Sequence, residues 1–319
     1  MTQDADPPGL PEAFVDRLRE TLSADRFGAA LASFDADKPT AFRVNTLKAQ
    51  PDAAVADLRV AGLSPVGVPG IETAFTVPPE QRRTLTQSPL VSDGRVYIQG
   101  IASMLAPLAL DARPGESVLD LCAAPGGKTL MLAAMMENTG TLNAVEPGKT
   151  RFFKLRANLE RGGAAMVKTY HTDGRSVGRK TPGRFDKVLV DAPCAGEAMF
   201  TTRDPASYRD WSAKKVQRCA RVQKALLRSA LESVRPGGTV LYCTCSMSVA
   251  ENEQVVAHTL GKLGDAVALE ALPELPASTM PALTAWRGKA LPESLARAVR
   301  VLPTATHDAF FLALLRRMV

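Results

Sequence analysis

Across 319 residues the sequence contains no CxxC pair, no GxGxxG, no internal repeat and no low-complexity segment. Each absence removes a class of function. Cys243-Thr244-Cys245 is too tightly spaced for the usual zinc site and has neither a partner pair nor a nearby His, so no bound metal is expected. Five cysteines are an odd number, which reads as reduced thiols in a cytoplasmic protein. Met1–Glu12 is polar, acidic and Pro-rich, without the basic start and apolar core of a signal peptide. No apolar run approaches the roughly 18 residues of a membrane span. The missing GxGxxG removes the dinucleotide fingerprint.

What is present is basic charge in particular places. The net charge is +6 and the pI about 9.1. Residues 149–187 carry eleven Lys/Arg against three Asp/Glu, and residues 203–235 carry nine against three. The rest of the chain is therefore acidic. A basic middle suits a polyanion such as nucleic acid, although solvated helix faces would give the same count.

The length allows one large domain, or a catalytic domain with an appendage. Phe14, Leu18, Leu22 and Phe27 predict one helix over 11–32, residues 41–47 alternate like a strand, and Pro51 opens a helix closed by Gly62. Two short strand-like runs follow near Val66 and Phe75, and Pro78-Pro79 closes a small α/β appendage spanning residues 1–85. From residue 86 the pattern becomes alternating strands and helices: strands at 117–122, 141–146, 165–170, 186–191 and 238–244, with helices at 127–137, 149–162, 212–234 and 250–262. That alternation predicts an α/β, doubly wound, Rossmann-like sheet over 86–319. The stretch 265–306 reads as loop-rich, and 307–317 as a strand at or near a sheet edge.

Three strand ends carry chemistry. Val118–Asp120 runs into Leu121-Cys122-Ala123-Ala124-Pro125-Gly126-Gly127-Lys128-Thr129, a small-residue loop followed by a helix start. Its glycines permit close approach of a ligand, and the helix N-terminus offers free N–H groups. Nineteen residues beyond Gly127, Glu146 ends the next strand, where nucleotide-binding folds place an acid for ribose hydroxyls. Asp173 is placed to reach a base edge, and Arg151 could contact the cofactor or solvent. Gly127-Lys128-Thr129 also mimics the end of a phosphate-binding P-loop, with Asp191 as a magnesium acid. The required first glycine is Cys122, however, which disfavours a nucleotide hydrolase. Cys194 follows Val188–Asp191, and Cys245 follows Val240–Thr244. In an open α/β sheet such ends face the ligand crevice, so two thiols converging there suggest covalent catalysis.

Cys122-Ala-Ala-Pro-Gly-Gly-Lys128, Asp191-Ala-Pro-Cys194 and Thr244-Cys245-Ser246, in that order, resemble the signature loops of the RsmB/NOP2/Sun family of S-adenosylmethionine-dependent RNA cytosine 5-methyltransferases. The likeness covers roughly residues 40–315 and includes Phe42–Lys48, Gln99–Met104 and Asp308–Phe311. It implies S-adenosylmethionine held by residues 122–128, Glu146, Arg151, Asp173 and Asp191. It implies Cys245 as nucleophile on cytosine carbon 6, Cys194 assisting proton removal and release, Asp191 holding the base edge and Lys128 supplying positive charge. Ribosomal RNA is favoured over transfer RNA as partner, and a monomer is expected. Ala195-Gly196-Glu197-Ala198 stands where the family often has Ser-Gly-Glu-Gly, and Ala309 where Gly is usual. Neither change removes a reacting group. No appended RNA-binding module is expected at either end. Arg203, Tyr208, Trp211 and Lys214 read equally as a floor for a flipped nucleotide or as an ordinary helix entry. His258, His307, Phe310 and Phe311 read as surface or packing residues, and Cys122, Cys219 and Cys243 as small packing residues. The alternative from another class is a ribosome assembly factor that binds S-adenosylmethionine and RNA without turnover, which would need neither thiol.

Overall fold

The structure, a computed structural model, describes residues 9–319, so most of the polar start of the chain lies outside the described residues. Two helices come first, α1 (Glu12–Thr21) and α2 (Ala24–Asp35). Leu22 and Ser23 are extended, which divides the single helix expected over 11–32. Serine favours this extended conformation at a helix start.

Next come β1 (Thr40–Val44), α3 (Pro51–Val60), β2 (Val66–Val68), β3 (Ile71–Val77), α4 (Arg82–Thr86), α5 (Pro89–Ser92) and β4 (Val96–Ile98). The four strands form an antiparallel sheet in the order β2-β3-β1-β4. Because β4 pairs with β1, this sheet runs beyond the boundary expected at residue 85. Helices α1 and α2 do not pack on it. Phe14, Leu18 and Phe34 instead join Ala198, Phe200, Met247 and Ala309 in an apolar cluster beneath the cysteine loops.

The second sheet is built from β5 (Ser117–Asp120), β6 (Thr141–Val145), β7 (Val167–Tyr170), β8 (Phe185–Asp191) and β9 (Val234–Thr244). Helices α6 (Ile101–Leu110), α7 (Gly127–Met135), α8 (Lys149–Arg161), α9 (Val177–Lys180), α10 (Ala213–Ser233) and α11 (Glu253–Leu263) flank it. The strands alternate inward and outward with a period of two. Val118, Leu142, Leu189 and Leu241 join the cluster with α6 and α7, while Leu119, Val145, Val188 and Val240 join that with α10 and α11. Both faces are covered, as a parallel sheet requires. Each such side chain contributes about 1.5–3 kcal/mol when fully buried.

Residues 265–306 are more ordered than a loop: they contain β10 (Val267–Glu270), β11 (Thr279–Pro281), the β12 (Ala285–Trp286)–β13 (Lys289–Ala290) hairpin and β14 (Val299–Val301). The last strand, β15 (Phe310–Arg317), is not at an edge. It lies antiparallel between β9 and β14, with β10 paired further along it. Its start, Phe310–Ala313, is buried on both faces, which an edge strand does not need. Strand order is β11-β14-β15-β9-β8-β5-β6-β7. Successive connections run outward in opposite directions from β5 and β8. The ends of those two strands flank the switch point where such sheets bind ligands.

Candidate active site

At the end of β5, Asp120 is fully buried; its carboxylate accepts from the Thr129 hydroxyl at 2.7 Å and from the Cys122 N–H at 3.3 Å. Burial pushes Asp120 up to about 6, with the Thr129 hydrogen bond pulling the other way. The chain then turns through Gly126, whose φ of +112° is strained for any residue with a side chain, and enters α7. Arg43, buried on β1, donates to Gly127 O at 3.1 Å and to Gln99 Oε1 at 3.0 Å, and its guanidinium stands 5.5 Å over the Tyr97 ring. A Cβ on Gly127 would come within 2.8 Å of Tyr97. The antiparallel sheet is thus keyed into the loop. Asn45 and Lys48 make a second seam, donating to Gly162 O and Arg161 O at 2.7 and 2.8 Å.

Glu146 directly follows β6 and is buried, accepting from Gly148 N–H at 2.7 Å. Arg151 reaches back to Glu146 at 3.3 Å and donates to Ala124 O at 2.8 Å. It therefore ties the two strand ends together. Asp173 does not join them: its half-exposed carboxylate is held by Arg175 at 2.6 Å, and that pairing keeps Asp173 below the usual carboxylate range.

On the other side of the switch point, Cys194 Sγ lies 2.8 Å from Cys245 Sγ, a contact between the loops after β8 and β9. This contact, with burial second, pushes the Cys194 thiol well up. Lys128 Nζ donates to Asp191 Oδ2 at 2.7 Å and stands 5.4 Å over the Phe310 ring. Burial opposes its charge, but the Asp191 carboxylate outweighs this and raises Lys128 above the ordinary lysine range. Burial pushes both the Cys243 and the Cys122 thiol well up; Cys243 is enclosed, whereas Cys122 is only partly buried.

A cavity of about 310 Å³ opens between these loops. Cys122, Ala123, Ala124, Pro125, Gly127, Lys128, Asp191 and Cys245 all line it, together with Tyr97, Gln99, Ser103, Met199 and Phe310. Glu146, Arg151, Asp173 and Cys194 are not on its wall. The first N–H groups of α7 and a wall of small side chains suit a flat heteroaromatic and a carboxylate, the groups of a nucleoside–amino-acid cofactor. Among the described residues no cluster of His, Cys, Asp or Glu could hold a metal ion, and no helix is long and apolar enough to cross a membrane.

The segment after Cys194 is a packing element. Trp211 and Tyr208 pack on Phe200, and Arg203 donates to Asp35 O at 2.7 Å and pairs with Asp37 at 3.2 Å. Trp211 also packs on Phe14 of α1, so these side chains hold α1 and α2 against the cysteine loop and are not among those lining the cavity. Phe310 both fills the core and lines the cavity.

Two buried carboxylates beside the cysteine loops had no role assigned from the sequence. Glu197 accepts from Arg17 at 2.8 Å, Trp211 Nε1 at 3.0 Å and Met247 N–H at 3.1 Å. Glu251 accepts from Ala195 N–H and from Gln223 Nε2, both at 2.9 Å. Ser246 Oγ stands between them, 2.6 Å from Glu251 and 3.1 Å from Glu197. Burial pushes Glu251 up to about 7. No spacing rule marks either residue. Glu251 fell only within the helix expected over 250–262, and Glu197 only within the segment after Cys194.

Residues 107–316 match the family described as 16S rRNA methyltransferase RsmB/F, and residues 10–100 match the N-terminal domain of 16S rRNA methyltransferase RsmF. Ribosomal RNA small subunit methyltransferase F of Vibrio vulnificus (strain YJ016) is 38% identical over 270 residues, covering 83% of this chain and 57% of the relative. The protein of the same name from Cronobacter sakazakii (strain ATCC BAA-894) is 38% identical over 274 residues, covering 82% and 56%. The chain thus spans little more than half the length of these curated relatives. A crystal structure of a methyltransferase homolog protein from Pyrococcus horikoshii superposes with a TM-score of 0.83 at 33% identity, covering 97% of this chain and 96% of that one. NSun6 from the same organism, solved with SFG, shares the fold at 21% identity and a TM-score of 0.82, covering 98% and 99%. The matched sequence, the Rossmann-like sheet and the three loops at its switch point agree: this chain belongs to the RsmB/F family of methyltransferases.

Proposed function

We propose that the chain methylates carbon 5 of a cytosine in RNA, ribosomal RNA before transfer RNA, with S-adenosylmethionine as donor and through a covalent Cys245–cytosine adduct. The observation that carries this reading is the 2.8 Å approach of Cys194 Sγ to Cys245 Sγ beside a cavity that also holds Lys128 and Asp191. A pure binding protein has no use for that pair.

Carbon 5 of cytosine is a poor nucleophile. Addition of the Cys245 sulfur to carbon 6 moves ring electrons to carbon 5 and divides one hard step into easier ones. S-adenosylmethionine, when bound, supplies an electrophilic methyl carbon on a sulfonium sulfur. Residues 122–128 would hold it, with Glu146 and Arg151 fixing the strand ends around it. Asp191, paired with Lys128 on the cavity wall, would accept from the amino group, while the ring nitrogen takes up the proton that Cys245 gives up as its sulfur adds. After methylation, carbon 5 carries a proton that must leave before Cys245 can be expelled and the ring restored. Cys194, in contact with Cys245, is the group that takes part in that removal.

The test is mass spectrometry of 5-methylcytidine in unmodified ribosomal RNA, small ribosomal subunits and transfer RNA after incubation with S-adenosylmethionine. New 5-methylcytidine in the ribosomal samples, falling at least about 10³-fold with Cys245→Ala while S-adenosylmethionine affinity stays within twofold, is the expected result. No product in any sample, with the donor still bound, would overturn it in favour of a non-catalytic binding protein.

A further inference from the structure

The two loops that bear the cysteines are held by hydrogen bonds converging on Ser246. Its hydroxyl oxygen accepts from Ser248 N–H at 3.1 Å and faces two carboxyl groups, Glu251 at 2.6 Å and Glu197 at 3.1 Å. A hydroxyl carries one proton and serves only one of two acceptors. Both contacts are satisfied only if one carboxyl group brings a proton of its own. Glu197 meets nothing but donors elsewhere, including the Arg17 guanidinium, and so behaves as a carboxylate. Among the described residues no cation is bonded to Glu251. Its Oε1 is taken by Ala195 N–H and Gln223, which leaves Oε2, at the short contact, as the protonated oxygen.

We infer that Glu251 is a neutral positioning residue, donating through Oε2 to Ser246, which in turn donates to Glu197. Glu251 thereby joins the Cys194 loop, through Ala195, to the Cys245 loop, through Ser246. The inference rests on the methylation reading for its effect on rate, and on the hydrogen-bond count for the proton itself. The titratable and charged groups facing Glu251 are Glu197 and Cys194 from the loop after β8, Cys219 from α10, Tyr242 from β9, and Arg17 of α1 behind Glu197. None is a cation in contact with Glu251. Burial, with Glu197 adding to it, pushes Glu251 up to about 7, in keeping with the proton count. Above that pH the proton is lost, two carboxylates confront one hydroxyl, and the spacing of the two thiols is disturbed.

The experiment compares Glu251→Ala, Glu251→Gln and Glu197→Gln in kcat against pH, together with the wild-type-minus-Glu251→Gln infrared difference spectrum. A glutamine amide at 251 can accept from Ala195 and Gln223 and donate to Ser246, as the neutral acid does. It cannot replace Glu197, which only accepts. The expected results are a loss of at least about tenfold in Glu251→Ala, recovery of most of that loss in Glu251→Gln with a flattened alkaline limb, and a loss of about tenfold in Glu197→Gln. The difference spectrum shows a protonated-carboxyl band at pH 6. Absence of that band overturns the protonation assignment whether or not the chain methylates RNA, and it stands even if Glu251→Ala fails to fold. With the band present, a Glu251→Gln rate no better than Glu251→Ala, or an unchanged alkaline limb, overturns the positioning role.

Discussion

The cofactor loop and the cysteine loops stand on neighbouring strand ends and differ in how far their anchoring carboxylates reach along the chain. Between Asp120 and Thr129 the first has a frame of near neighbours, Asp120 bonding Cys122, two residues on, and Thr129, nine residues on, to which Arg43, Arg151 and Asn158 add distant bonds on the loop carbonyls. The cysteine loops are held by partners far away in sequence. Glu197 pairs with Arg17, 180 residues distant, and Glu251 with Ala195, 56 residues distant. A loop fixed by its own neighbours leaves a compact motif. A loop fixed by remote side chains leaves only scattered residues, although the chemistry it carries is no less specific.

The largest effect that separates the two regions comes from the second thiol. Cys194→Ser should lower turnover about 10²-fold or more and accumulate a protein–RNA adduct that survives a denaturing gel. Donor affinity should stay within twofold, because Cys194 is off the cavity wall. Normal turnover with no adduct would make Cys194 structural.

A smaller effect sharpens the comparison through pH. Each region includes one carboxyl group whose folded titration is raised by burial: Asp120, from 3.8 to about 6, and Glu251, from 4.5 to about 7. Such a group binds its proton more tightly in the folded state. Its stabilisation is complete below the unfolded value and is lost as pH rises through the folded value. Thermal stability should therefore decline between pH 4 and 7. Asp120→Asn should remove the part of that decline complete near pH 6, and Glu251→Gln the part that continues to near pH 7. Calorimetric midpoints measured across this range check both. A slope unaltered in the variants would assign the decline to other groups.

The smallest expected effect concerns Asp173. Since Asp173 is off the cavity wall and its carboxylate is already paired with Arg175, Asp173→Asn should change donor affinity by less than twofold in a binding titration. A tenfold loss would return Asp173 to the cofactor side.

Much of the catalytic fold was legible because short continuous apolar runs that end abruptly in small, polar or Pro residues mark strands buried on both faces. β8 and β9 are the clearest cases. The end of the chain was harder. Apolar Phe310–Leu315 announced a strand, but nothing local said that β14 and β10 would cover its outer side, since pairing partners are chosen across the fold. The break at Leu22-Ser23 was hidden by an apolar stripe that continues through it, because α1 and α2 bury their residues in one cluster. Tyr208 and Trp211 carried the composition of a base-stacking surface. Only their contacts with Phe200 and Phe14 made them a packing element.

By itself the sequence determined the alternation of strand and helix, the small-residue loop before α7 and the two cysteines at strand ends, because each is written in neighbouring residues whose sterics act locally. Tertiary structure alone decided that Cys194 would meet Cys245, that Arg43 would reach Gly127 from a separate sheet, and that Ser246 would stand between two buried glutamates. Those contacts join residues 51, 84, 49 and 5 positions apart. Even the last is set by how the chain turns after β9, so it exists only once the sheet is assembled and water has been excluded from its edge.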